Sequence, residues 1–426
     1  MKGKGIWRRI GAVAVVAGAA SMVLAGCSGN GASGSTTGAA TAAPAHLRII
    51  VNISPNLTVA YWTKLFDTYE KANPGVTVSL ERTGTISASD KLNQDLAAGD
   101  PPDIVQQVTP TADTAKLFTD LSKQSWTKDT PLVDNYKING KTYLVGAGQQ
   151  VQSLVFYNKA AFEKAGLDAS TIKTVAQFTS AMGKLKDAGY QPLQTAGQWV
   201  TGGQFTMFND STTMTKTPDW IKQRRAGDVS FAGDKDYVNS LKSYKSWVDK
   251  GYLEKSDLGL AYADGQTNFL EGKSAMYMMG SFFVPAADQA SKSDEIGVFS
   301  MPTTGTYPTK QYSNIADPYV VVKQSKNQQA AIDLVKWLTT DKKAVASELA
   351  ADGNFRKGYT YKMSSLGEGV QKIIDASPGG FVEAADEQPV PGYSTQLNSQ
   401  IQALFSGSTP QQVAQNLDTW WDSQAQ

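Results

Sequence analysis

Cysteine and histidine are almost missing. The 426-residue chain holds one of each, Cys27 and His46. A lone cysteine forms no internal disulfide. A lone histidine excludes Ser-His-Asp and Cys-His catalysis and every histidine-based metal site. Net charge is missing as well. The 40 basic side chains offset 39 acidic ones, so nothing biases the chain toward nucleic acid or an anionic surface. Its uncharged apolar stretch Ile10–Leu24 is shorter than the roughly 20 residues that cross a bilayer. There is no internal repeat. Carboxylate chemistry remains available, and aromatic rings are plentiful: 17 Tyr, 15 Phe and 9 Trp give the chain material for ring-faced binding surfaces.

The start of the chain has a distinct order. Lys2, Lys4, Arg8 and Arg9 precede the apolar stretch, which runs into Leu24-Ala25-Gly26-Cys27. A run of Gly, Ser, Thr and Ala follows to Ala45. A short apolar segment before small residues fits a processed signal. An ordinary secretory signal or a membrane helix are the other readings of this segment. The order resembles a bacterial lipoprotein signal. That resemblance implies cleavage before Cys27 and acyl chains (palmitate among them) on its thiol, leaving no free thiol nucleophile. Residues 1–26 are then the signal peptide. Residues 27–45 are a tether, with too few large apolar side chains to pack and hence disordered. The folded body stands on the extracellular face of the cell membrane, anchored by about 0.8 kcal/mol per buried CH₂.

The body alternates strands and helices. Leu47–Val51 reads as a buried strand, and Tyr61, Trp62, Leu65, Phe66 and Tyr69 recur at helical spacing before Asn73-Pro74-Gly75 stops them. Val76–Leu80 and Ile104–Val108 read as further strands around a helix carrying Leu92 and Leu96. Later strands are expected at Leu154–Asn158, Gln191–Thr195, Ala275–Met279, Ile296–Phe299 and Tyr319–Val322. Three helix starts carry capping-box patterns: Thr174 with Gln177, Ser325 with Gln328, and Thr409 with Gln412 behind Pro410. Repeated βα alternation predicts an α/β fold with largely parallel sheets, long enough for two lobes.

Five segments in register resemble extracellular solute-binding protein family 1, the sugar-binding lipoprotein component of ABC importers. They are Tyr69–Gly75, Gly99–Ile104, the stretch ending in Tyr157-Asn158-Lys159, Phe269–Met276, and Gly280-Ser281-Phe282 after it. The resemblance implies a two-lobed, periplasmic-binding-protein-like fold of type II, with the ligand cleft between lobes joined by a multi-crossing hinge. Lobe one is then residues 46–150 plus 315–350, and lobe two residues 154–312 plus 355–426. Crossings are expected near Gln149–Ser153, Ser313–Asp317 and Ala350–Arg356.

Sugars offer apolar ring faces to aromatic side chains and hydroxyls to polar ones. Trp62, Trp247, Trp337, Trp420 and Trp421 lie in helical patterns and read as core. Trp126, Trp199 and Trp220 lie in or beside loops. Trp220 reads as opening a helix. Trp199, after Gly197-Gln198, is near where the family places a stacking aromatic; packing is the alternative reading. Phe282 stands where the family often has tryptophan. Polar candidates are Gln150 at the first crossing, Asn314 and Asp317 at the second, and Arg356 at the third. Asn209-Asp210 and Asp264 are read as lying in loops of lobe two. In lobe one, Ser54-Pro55-Asn56 and Arg82–Thr85 are possible cleft edges.

The implied function is capture of a sugar or oligosaccharide by hinge closure and delivery to an ABC transporter permease. The protein is expected to be a monomer with no cofactor, no metal and no nucleic acid partner. The competing readings are an anchored glycosidase, which needs two facing carboxylates, and a carbohydrate sensor on the same fold.

Overall fold

In a computed structural model the described residues are 44–84, 86–305, 312–377 and 389–424. Cys27, the expected lipidation site, and the segments 1–26 and 27–43 lie outside them. The described residues belong to one compact unit. Among the described residues no helix is long and apolar enough to cross a membrane.

Among the described residues eleven strands follow in chain order: β1 (Ala45–Val51), β2 (Val76–Arg82), β3 (Ile104–Gln106), β4 (Leu144–Val145), β5 (Gln149–Val151), β6 (Leu154–Asn158), β7 (Gln191–Gln194), β8 (Ser274–Met279), β9 (Ile296–Ser300), β10 (Ser313–Ile315) and β11 (Tyr319–Val321). They make a five-stranded sheet, β2-β1-β3-β11-β4, a four-stranded sheet, β7-β8-β6-β9, and a two-stranded ribbon, β10-β5. The two larger sheets are the centres of two lobes.

In lobe one, β1 runs parallel to β2 and β3, and β11 returns antiparallel between β3 and β4. Helices cover both faces, so β1 is apolar and buried at Leu47 and from Ile49 to Val51. Leu47, Ile49 and Val51 pack on Trp62, Leu65 and Phe66 of the helix Val59–Ala72. Ile50 points the other way, to Leu92 of the helix Ala88–Ala97. In lobe two the whole of β8 is buried. Met276 and Met278 face a core of Phe178, Phe205, Tyr244, Trp247, Trp220 and Trp421. Tyr277 and Met279 face Phe156, Phe269 and Phe283.

Two of the three expected capping boxes form. Thr174 and Gln177 bond reciprocally at the start of Val175–Asp187. So do Thr409 and Gln412 at the start of Pro410–Gln424. The third does not. Ser325 spends its hydroxyl on Asp103 Oδ1 at 2.5 Å, and the Gln328 amide turns back to Val322 O at 2.7 Å. The helix therefore starts at Gln328, three residues past the expected cap.

Three segments connect the lobes. Strands β5 and β10 pair antiparallel, Gln150 opposite Asn314. The third segment adds an isolated bridge, Gln149 and Phe355 exchanging bonds of 2.8 and 2.9 Å. Gly353, at the end of the helix Lys342–Asp352, has φ +61°. A Cβ there would lie 2.4 Å from Ser281 O of lobe two. Only glycine permits both the left-handed backbone and this approach. Gly353→Ala is expected to destabilise the protein by about 2 kcal/mol or more, from the left-handed penalty plus the clash. Urea unfolding checks this; an unchanged midpoint would contradict it.

Candidate functional site

A cavity of about 340 Å³ lies between the lobes. Lobe one supplies the segment Asn52–Leu57, which follows β1. The chain turns here because Ser54 Oγ accepts the Asn56 and Leu57 N–H groups at 3.2 and 2.9 Å. Asn52 is fixed at both ends: its N–H reaches Gln106 Oε1 at 3.0 Å, and its carbonyl accepts from Trp62 Nε1 at 3.2 Å. Lobe two supplies three rings, Trp199, Tyr262 and Phe282. Gln107, Gln150, Asp317 and Asp352 line the base beside the hinge.

The aromatic wall is assembled from three distant segments. Trp199 is 42 % exposed, the one large apolar side chain in the exposed class among the described residues. Its ring lies 5.1 Å from that of Tyr262 and 6.2 Å from that of Phe282. Gly203, one helical turn on, lets the indole lie against the helix Val200–Asn209; a Cβ there would sit 2.8 Å from the indole carbons. The preceding Gln198 is left-handed, φ 52°. It is pinned by Tyr262 N donating to its Oε1 at 3.0 Å and by Asn398 Nδ2 donating to its carbonyl. This platform is held by hydrogen bonds and presents a ring to solvent, an arrangement suited to the apolar face of a polar ligand.

Opposite it lies a network of buried acids. Asp317 Oδ1 accepts from Gln107 Nε2 at 2.8 Å. Both residues have positive φ, 42° and 62°. Such backbone strain concentrates at ligand sites. Asp317 Oδ2 is buried beside the Asp352 carboxyl without a well-formed hydrogen bond. Asp352 accepts from Asn56 Nδ2 and Gln150 Nε2, each at 2.9 Å. Behind them, Glu348 takes a bond from the Tyr319 hydroxyl at 2.8 Å. Burial, first, raises the pKa of all three acids. The Asp317 charge adds to the rise at Asp352 and Glu348. The Gln107 bond works the other way at Asp317. Of the touching pair, Asp317 therefore ionises first and Asp352 keeps the proton. The base of the cleft presents two carboxyl groups and two primary amides, a set that meets hydroxyl groups as donor or acceptor.

Asn56 also spans the cleft. Its Nδ2 donates to Phe282 O of lobe two at 2.9 Å while bonding Asp352. One amide thus ties lobe one, lobe two and the third connecting segment together.

The structure brings Trp199, Phe282, Gln150 and Asp317 into this cavity, together with Ser54, Pro55 and Asn56. Asn314 lines an adjoining groove beside Gln152. Others lie outside this cavity. Trp126 is in the core of lobe one, its indole N–H on Gln124 Oε1 at 3.3 Å. Arg356 donates to the carbonyls of Ala147, Thr339 and Asp129 at 3.0, 2.6 and 2.5 Å, bracing the hinge. Asp264 belongs to the helix Tyr262–Leu270 rather than a loop, and caps it by accepting from Ala261 N at 3.3 Å. Asn209 and Asp210 are likewise buried in helix, Asn209 ending Val200–Asn209 and Asp210 opening a wider π-helical turn to Met214. Arg82 and Thr83 do not line the cavity, and Thr85 lies outside the described residues. Sequence reasoning missed Asn52, Gln107, Tyr262 and Asp352.

Comparison with known proteins adds the following. The sequence pattern of the family described as bacterial extracellular solute-binding protein matches residues 54–345. A multiple sugar-binding protein of Streptococcus mutans is 23 % identical over 290 residues, covering 65 % of this chain and 67 % of the relative. A chitin oligosaccharide binding protein superposes with TM-score 0.78 at 22 % identity, over 89 % of this chain and 99 % of the other. A sugar transporter of Bacillus licheniformis in complex with stachyose gives 0.73 at 18 % identity, over 90 % and 100 %. At these identities the structural likeness establishes the fold, two α/β lobes around a cleft.

Proposed function

The chain belongs to the bacterial extracellular solute-binding proteins, and on that premise we propose that it captures a sugar or oligosaccharide between its lobes and delivers it to the permease of an ABC importer. One observation carries the reading: an exposed indole, held in place by its neighbours, lines the same interlobe cavity as a polar, amide- and carboxyl-rich base. The names of the relatives agree with it. In this reading the ring of Trp199 stacks on a sugar face, and Asp317, Asp352, Gln107 and Gln150 sort the hydroxyls. Asn56 closes the lobes by holding Phe282 O. Ligand favours the closed state because only there do both walls touch it. The protein acts as a monomer, held to the outer face of the membrane by lipid on Cys27, where tethering keeps it at high effective concentration near the permease.

Hydrolysis is the weaker reading. A glycosidase needs carboxyls about 5–9.5 Å apart on either side of the scissile bond. The cleft acids Asp317 and Asp352 instead touch each other on one side.

The experiment is a thermal-shift screen of the full-length chain against mono- and oligosaccharides, with small-angle scattering on any hit. At a hundredfold excess over Kd, ligand stabilises by about 2.7 kcal/mol. A hit is expected to raise the Tm by several degrees and to reduce the radius of gyration. Saturating sugars that change neither quantity would count against capture by closure.

A further inference from the structure

The cavity does not end at Trp199. Beyond the indole, a groove of about 280 Å³ continues along lobe two, sharing Trp199 as its near wall. Its floor is one face of the helix Val200–Asn209. Trp199, Gly203, Thr206 and Asp210 succeed one another at intervals of four, three and four residues, the spacing of a single helical face, and all four line the groove. Its sides are Gln152 and Asn314 from the hinge region and Ser394 from the helix Tyr393–Phe405. From Trp199 to Asn209 this floor is about 15 Å long at 1.5 Å per residue.

The groove ends at a smaller compartment of about 80 Å³, with which it shares Thr206, Asp210, Tyr312 and Leu397. Phe205, Ile221, Tyr237 and Tyr393 wall it. Asn209 lies there too, 4 % exposed, and its Oδ1 has no hydrogen-bond partner among the described residues. The Tyr237 and Tyr393 hydroxyls are committed to one another at 3.1 Å.

We propose that the ligand is a linear oligosaccharide longer than a disaccharide. One unit lies between the lobes on Trp199, and the rest of the chain follows the helix face past Thr206. The edge of the terminal ring enters the apolar compartment at the groove's end. This rests on the sugar-capture reading and adds the direction and length of the bound chain. A floor lined by Gly203 and Thr206 leaves room for rings to pass, and the compartment at its end is walled by apolar and aromatic side chains that fit a ring edge.

The test is isothermal titration of the full-length chain with xylo-, chito-, manno- and malto-oligosaccharides, each from monomer to hexamer. In the series that binds, affinity is expected to rise at least about tenfold between dimer and tetramer as further contacts form. Thr206→Phe places a ring across the exposed floor where the groove meets the compartment, away from Trp199. It is expected to bring the tetramer down to the affinity of the dimer while the dimer holds its own. Ser394→Phe, from the opposite and exposed side, is expected to do the same if Thr206→Phe fails to fold. A parent affinity that levels off at the dimer overturns the proposal, as does a folded blocking variant that binds long chains as tightly as the parent. Failure of every series to bind overturns the sugar-capture reading and this one with it. Binding without length dependence overturns only this one.

Discussion

Trp199→Ala is expected to weaken ligand binding by about 10- to 100-fold, the size of effect found when an aromatic anchor is removed from a pocket. The Tm of the ligand-free protein should barely move. The two halves of this expectation come from the same geometry. The indole is 42 % exposed and packs on Tyr262, Phe282 and the bare Gly203 backbone, outside the cores of both lobes. Its removal leaves no sealed cavity, so the large-to-small penalty of a core position does not apply. Yet it is the ring that both the cavity and the adjoining groove share. Trp199→Phe keeps a smaller face and should recover part of the affinity. Titration of a ligand found by the screen, beside a melt of each variant, separates the effects. A Trp199→Ala protein that binds within about threefold of the parent would show that the sugar face rests elsewhere.

The elements built on apolar runs and helical spacing were legible because their partners are local. A β-branched run such as Leu47–Val51 can hardly be anything but a buried strand, and Thr174 meets Gln177 within one turn. The helix Val200–Asn209 was not legible. It holds two glycines and two threonines, poor helix formers. Tertiary packing supports it instead: Asn398 Oδ1, from a helix nearly 200 residues later, takes the Thr201 hydroxyl at 2.8 Å and the Gly202 N–H at 2.9 Å. Reading Asn209 and Asp210 as loop followed from that low local propensity.

The site divides the same way. Trp199 and Phe282 stood out because they stand near where the resembled family places aromatic side chains, and Trp199 also follows a glycine beside a loop. Asp352 carried no such signal. It is the last residue of the helix Lys342–Asp352, where a carboxylate normally faces water, and Glu348 sits one turn earlier. Both are turned inward only because that helix packs beneath the hinge, with Tyr319 on β11 and Asn56 after β1 as partners. Partners about 30 and 300 positions away leave no pattern in a single sequence.

Those inward acids make the pH dependence of stability the other large effect. Glu348 is 1 % exposed, and its Oε1 has no described hydrogen-bond partner. It is surrounded by the Tyr319 hydroxyl, the Asp317 and Asp352 carboxyls and Tyr61. Burial raises both tyrosines above the usual phenol range, so neither charges near neutrality. Burial first, and the Asp317 charge second, hold the Glu348 proton well above the usual carboxylate range. An unfolded glutamate loses its proton near pH 4.3. Between that pH and the raised native value, the folded state binds the extra proton, so stability falls as pH rises across the window. Asp352 and Asp317, both raised, act in the same direction. Below about pH 4 the unfolded carboxyls are protonated too and the effect disappears. Glu348→Gln removes one of these protons from the balance. Its amide oxygen still accepts from Tyr319, and no charge needs suppressing. The parent is therefore expected to lose Tm from pH 5 to pH 8, and the variant to lose less and to melt above the parent at pH 8. A gain of about 2–4 °C for each kcal/mol recovered is the scale for a domain of lobe size. Melts of the ligand-free proteins across that range decide it, since parallel curves for parent and variant would mean that the Glu348 carboxyl is already ionised in the folded protein.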